Sequence, residues 1–220
     1  MIKIKDEFES SKIAGKAIGY IFDIYLCGEI LPAENYVDDY ETIRNANEND
    51  VIRLHINSYG GDLSTAIQFN RVIQETAAHV VASVEGYCMS AATMIFLAAH
   101  MYEISDHCFF MFHNYSGGSF GKGGEMYDHI ISERKWSDKL INKVYLNFLT
   151  QEEIKSILDN KDIWMDGEEV KVRLETKIEK MNEEAEAQAA AEAEAERKLT
   201  EPAPAPVVEV AKKRVIKKKV

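Results

Sequence analysis

The chain is 220 residues long, 46% hydrophobic and 29% charged, with a formal net charge of -11. That length suits one globular domain with an appendage and crowds two. The acidic balance argues against a general nucleic-acid binder, leaving that role at most to the last ten residues, which hold six basic side chains and no acidic ones.

Three cysteines (Cys27, Cys88, Cys108) at no metal-ligand or redox spacing fit a reducing, cytoplasmic setting. The charged start of the chain contains no signal-peptide core, and its longest apolar windows are broken by polar residues, so no membrane span is expected.

Residues 1–19 read as an N-terminal arm. Ordered structure is expected from the β-rich run Tyr20-Ile21-Phe22-Asp23-Ile24-Tyr25-Leu26-Cys27, stopped by Gly28. Pro32 suits a helix start, and Tyr36, Tyr40 and Ile43 recur at helical spacing. A strand over 51–56 puts Ile52, Leu54 and Ile56 on one face. After Gly60-Gly61, the residues Leu63, Ala66, Ile67, Asn70 and Ile73 mark a helix packed on the sheet. The same order of strand, turn and helix recurs over 80–99, with Ser90 at the helix start. This alternation predicts an α/β fold with a mainly parallel sheet.

A further apolar run, Cys108-Phe109-Phe110-Met111-Phe112, ends in His113. The glycine-rich stretch over 117–124 reads as a flexible hairpin or handle; it is no phosphate loop, since no Lys-Ser/Thr pair closes it. A long helical pattern follows from about Glu125 to Phe148. Thr150 and Glu153 then form a capping-box signature for a short helix ending near Asp159. The globular pattern fades after Met165. Residues 167–200, rich in Glu, Ala and Lys, favour a solvated helix on propensity, and a stiff Pro/Ala linker leads into the basic tail. The expected divisions are therefore 1–19, 20–166, 167–200 and 201–220.

The segment Gly86-Tyr87-Cys88-Met89-Ser90-Ala91-Ala92 places a serine at a sharp strand-to-helix turn among small residues. A serine hydroxyl is a poor nucleophile at neutral pH, so it needs a base, a group that orients the base, and backbone N–H donors for the oxyanion. His113, the acidic residue Asp162 and the Gly60-Gly61 turn are candidates for these parts. Each also has a plain structural alternative. Ser90 can be a simple helix N-cap, His113 a structural residue at a strand end, and Asp159 or Asp166 can take the place of Asp162. Cys88 is a poor rival to Ser90, because it precedes the helix on a buried strand end. The remaining histidines show no paired ligand spacing, so no metal site is expected.

From about Tyr20 to Asp166 the chain resembles the ClpP family of serine peptidases, the proteolytic subunit of the Clp protease. The likeness rests on Ile56-Asn57-Ser58-Tyr59-Gly60-Gly61, the turn from Gly86 to Ala92, and Met111-Phe112-His113-Asn114 with Gly117-Gly118 behind it, in that order and spacing. The resemblance implies a ClpP/crotonase-like fold of repeated ββα units with a protruding handle helix. It implies Ser90 as nucleophile, His113 as general base, Asp162 as orienting carboxylate, and the backbone N–H groups of Gly61 and Ala91 as the oxyanion hole, with no cofactor and no metal. It also implies polypeptide substrates, a homo-oligomeric ring and a separate AAA+ unfoldase as the user of ATP.

Several positions depart from the family pattern. Tyr59 stands in place of the usual proline, Ala91 in place of methionine, and Val172-Arg173-Leu174-Glu175-Thr176 in place of the usual Tyr-Gly-Leu-Ile-Asp-like segment. The short, tail-bearing form resembles versions encoded by large bacteriophages, so a head-maturation protease or an assembly protein working with capsid components stays open. A crotonase-like acyl-CoA enzyme is the rival outside proteolysis; it would share the fold and the oxyanion donors but need no Ser-His-Asp set.

Overall fold

The computed structural model describes residues 19–200; the N-terminal arm up to residue 18, and the linker and basic tail over 201–220, lie outside them. The chain divides into two compact units, one up to Lys177 and one from Ile178 onward.

In the first unit the elements run β1 (Ile21–Ile30), a 3-10 turn (Ala33–Tyr36), α1 (Val37–Asn45), β2 (Val51–Gly61), α2 (Leu63–Glu75), β3 (His79–Met89), α3 (Ala91–Ala98), β4 (Met101–Ile104), β5 (Phe109–Phe112), α4 (Gly123–Val144), α5 (Gln151–Leu158), β6 (Ile163–Asp166) and the start of α6 (Gly167–Thr200). The six-stranded sheet has the order β1-β2-β3-β5-β6, with β4 also paired to β3. All pairings are parallel except β5 with β6. This is the mainly parallel α/β architecture that the alternation of elements predicts.

Strand β3 is forked. Its first half pairs with β4 (Val81–Val84 against Met101–Ile104) and its second half with β5 (Tyr87–Met89 against Phe109–Met111). The fork matters because it brings the end of β3 beside the end of β5, and so Ser90 beside His113.

The core lies on one side of the sheet. Ile52, Leu54 and Ile56 of β2 are fully buried, as their alternation demands, while Arg53 and His55 on the other face are only half-buried. Each fully buried aliphatic or aromatic side chain contributes roughly 1.5–3 kcal/mol relative to exposure. α3 is buried on every side from Ala91 to Leu97, as suits a central helix.

Four expectations change in detail. β1 does not stop at Gly28: a bulge between Gly28 and Glu29 carries the strand on to Ile30. α2 turns Phe69 and Val72 inward rather than Ile67 and Asn70, because Phe69 meets Tyr40 and Tyr36 edge-on, with ring centroids 4.8 and 5.3 Å apart. The long helix α4 ends at Val144, short of Phe148, and Tyr145, Phe148 and Leu149 pack into the core from the turn beyond it. The first half of α4 buries nothing and forms the protruding handle. Finally, the packed body runs past 166 to Lys177. Val170 and Leu174 of α6 join the core, and Arg173 grips both oxygens of Glu153 on α5 at 2.8 and 2.7 Å.

Thr150 and Glu153 form the expected capping box, with Thr150 N–H donating to Glu153 Oε2 (2.8 Å) and Glu153 N–H to Thr150 Oγ1 (3.2 Å). In the second unit the described side chains of α6 are exposed. Among the described residues no helix is long and apolar enough to cross a membrane.

Lys177 is buried at the C-terminal end of α3. Its Nζ donates to Leu97 O (3.0 Å) and Tyr102 Oη (2.7 Å) and lies 5.2 Å from the Tyr102 ring centroid. The carbonyl end of a helix and an aromatic face both attract a cation, yet burial still pulls its pKa from 10.5 down to about 8. Between these values the unfolded chain holds a proton that the folded chain has released, so this group adds stability as pH rises. Denaturant unfolding of wild type and Lys177→Met from pH 8 to 10 should therefore show the difference moving in favour of the wild type. A difference that stays flat across that window would refute the assignment.

Candidate active site

Ser90 has φ 54 and ψ -127, a left-handed backbone that costs a non-glycine residue on the order of 1–3 kcal/mol. Its surroundings hold it there. The Ser90 N–H donates to Met111 O on β5 (2.8 Å), and the Ser90 carbonyl accepts from both Thr93 N–H (2.9 Å) and Thr93 Oγ1 (2.6 Å). With its proton committed to Ser90, the Thr93 hydroxyl accepts in turn from Tyr145 Oη at 2.8 Å. Tyr145 is buried edge-on against Phe112, and burial pushes its phenol up to about 12, so it stays a donor.

The consequence is chemical. The Ser90 side chain makes no capping bond to α3; its Oγ sits 2.6 Å from Nε2 of His113 instead. The plain N-cap reading is thereby set aside in favour of a hydroxyl aimed at an imidazole, within proton-transfer reach.

The end of β2 presses on the same turn. Gly60 has φ 92, and a Cβ there would stand 2.6 Å from Ser90 Cβ and 2.7 Å from Met89 O. Gly61, at φ 148, would drive a Cβ into Ile30 O. Buried Ser58 fixes this turn by donating to Gly28 O (2.6 Å) and accepting from Gly60 N–H (3.1 Å). Gly61 and Ala91 both line the cavity that holds Ser90 and His113. Ala91 is the first residue of α3, where N–H groups lack intrahelical acceptors and the helix dipole is positive. The cavity measures about 410 Å³, and Met94, Trp136, Leu140 and Ile141 give it an apolar wall.

The antiparallel β5–β6 ladder ends at the pair of Phe112 with Ile163, and His113 and Asp162 are the next residues beyond it on the two chain segments. Asp162 is exposed, and no hydrogen bond joins it to His113. Of the competing acids, Asp166 accepts from the Glu169 N–H at 2.9 Å at the start of α6, and Asp159 stands at the C-cap position of α5 through its backbone N–H. Cys88 is fully buried, and burial raises its thiol well above its ordinary range, which leaves it inert. Among the described residues, no three His, Cys, Asp or Glu side chains converge to hold a metal ion.

A family model for Clp protease matches residues 24–173, about two-thirds of the chain. The chain belongs to the Clp protease family. No curated protein matched it. Membership makes the chain a peptidase, and the matched span of this Clp protease takes in the Gly60-Gly61 turn, Ser90, His113, Asp162 and the Arg173 partner of Glu153.

No role for Ser58, Thr93, Asn114, Ser137 or Tyr145 was read from the sequence, although Ser58 and Asn114 stand inside the segments that carry the family likeness. Thr93 is three residues beyond the serine and Ser58 two before Gly60, whereas Ser137 and Tyr145 bond partners tens of residues away. The close approach at Gly60 gives a direct test. Gly60→Ala should lower stability by roughly 1–3 kcal/mol and slow fluorophosphonate labelling of Ser90 at least tenfold. Gly124→Ala, where a Cβ meets nothing within 4 Å, should change neither. Normal labelling in Gly60→Ala would mean that the Ser90 turn is not held by this contact.

Proposed function

We propose that this Clp protease family member is a serine endopeptidase that cuts unfolded polypeptides through an acyl-enzyme. The observation that carries the reading is the 2.6 Å contact between Ser90 Oγ and His113 Nε2 on a serine that caps nothing. In this mechanism neutral His113 takes the Ser90 proton as Oγ attacks the scissile carbonyl. The oxyanion is met by the N–H groups of Gly61 and Ala91. His113 then gives its proton to the leaving amine, afterwards takes a proton from the water that attacks the acyl-enzyme, and returns it to Ser90 Oγ as the acid product departs. Asp162, which directly precedes the strand paired with the His113 strand, closes on the imidazole when substrate or assembly orders the site, holding its tautomer and stabilising the imidazolium. Apolar side chains lining the cavity suit an extended peptide with an apolar residue beside the cut.

The reading requires no cofactor and leaves ATP to a separate unfoldase. It includes a cytoplasmic, homo-oligomeric ring. What supports the ring is the open face of the sheet, where Tyr25, Tyr59, Tyr87 and Trp164 are exposed; a parallel sheet is ordinarily covered on both faces. The exposed first half of α4 offers a second surface for assembly.

A fluorophosphonate probe with peptide mapping should label Ser90, and Ser90→Ala should abolish peptidase activity. Labelling elsewhere, or full activity in Ser90→Ala, would overturn the mechanism. Asp162→Asn should fold normally and lower kcat by on the order of 10⁴. If Asp159→Asn or Asp166→Asn has that effect instead, the acid is misassigned.

A further inference from the structure

The turn that delivers Asp162 carries a link to His113 that its backbone does not need. α5 ends in a Schellman arrangement, in which Lys161 N–H donates to Ser156 O (3.0 Å) and Asn160 N–H to Ile157 O (2.9 Å), with Asn160 left-handed at φ 61. For that job glycine is the best residue. Asn160 does more, because its Oδ1 accepts from Asn114 Nδ2 at 3.2 Å. Asn114 directly follows His113.

The orientation of the Asn114 carboxamide is settled by its neighbours. Its Oδ1 accepts from the Tyr115 N–H (2.9 Å), an unambiguous donor, and from the hydroxyl of Ser137 (3.1 Å). Ser137 is one of the two buried residues of α4. A single carboxamide thus joins the chain leaving His113, the handle helix and the turn two residues before Asp162. This connection runs alongside the β5–β6 ladder, whose last pair, Phe112 with Ile163, adjoins His113 and Asp162 in sequence.

Resting on the serine-peptidase reading above, we propose that Asn114 and Asn160 are positioning residues, whose side-chain bond holds the Asp162 turn against His113 so that the carboxylate reaches the imidazole during turnover. They touch no reacting atom and act through Asp162. Ser137 links this bond to α4, so displacement of the handle is felt at the acid.

The test exploits the left-handed backbone. Asn160→Gly keeps the turn and removes only the carboxamide; a residue that merely ends a helix would tolerate it with unchanged activity and equal or higher stability. The proposal instead expects kcat on a fluorogenic peptide to fall at least tenfold, with KM nearly unchanged and the melting temperature retained. Asn114→Ala should show the same pattern. In an Asp162→Asn background, Asn160→Gly should cost nothing further, because its partner in function is already gone; rates of fluorophosphonate labelling at Ser90 extend this comparison to slow variants.

Wild-type kcat in both Asn160→Gly and Asn114→Ala, or an Asn160→Gly loss that persists undiminished beside Asp162→Asn, would overturn the proposal while leaving Ser90 and His113 in their roles. Failure of the underlying reading looks different, since Ser90→Ala would then remain active.

Discussion

The site depends on a single strained backbone, that of Ser90. A left-handed serine survives only where its surroundings specify it, and here three elements do so at once: β5 takes its N–H, α3 supplies Thr93 to its carbonyl, and the turn after α4 braces Thr93 through Tyr145. The strain turns the hydroxyl out of the helix cap and toward His113. A relaxed serine at the same place would satisfy an N–H of α3 and have no proton-transfer partner.

That arrangement rests in turn on the fork in β3. A strand that stayed with β4 throughout would carry Ser90 away from β5. By transferring its second half to β5, the sheet sets the ends of β3 and β5 side by side, and β6 pairs antiparallel along the other edge of β5. The glycines at the end of β2 fill the remaining side, where any side chain at Gly60 would collide with the serine itself. α3 is secured at its other end by Lys177, so the helix that carries the turn is held by polar contacts at both termini.

The opposite face of the sheet has a different character. His55 lies between Glu85 (2.6 Å) and Asp23 (3.0 Å) and stacks on Tyr25 at 4.5 Å. The bond to Glu85, more than any other neighbour, raises its pKa. Charged and aromatic groups thus share one exposed surface, a composition suited to a contact that is specific as well as apolar.

Much of this was legible in the sequence because it is local. A β-rich run marked β1, alternation marked β2, the recurring order of strand, turn and helix marked β3, Thr150 and Glu153 announced the start of α5, and the small residues around Ser90 marked a sharp turn. The order of the Gly-Gly turn, the serine and the histidine was enough to suggest the family. What the sequence alone could not determine is whatever depends on residues distant along the chain. Local spacing put Ile67 and Asn70 on the inner face of α2, and only packing against Tyr36 and Tyr40 turned Phe69 inward. Likewise Thr150 and Glu153 located α5, but only the tertiary fold paired Glu153 with Arg173 and drew α6 into the core. Three acids within eight residues, Asp159, Asp162 and Asp166, look alike in the sequence; in the fold Asp166 accepts from the Glu169 N–H at the start of α6. The link among Asn114, Asn160 and Ser137 carried no signal in the sequence, because hydrogen bonds between side chains on three distant segments exist only once those segments have been brought together.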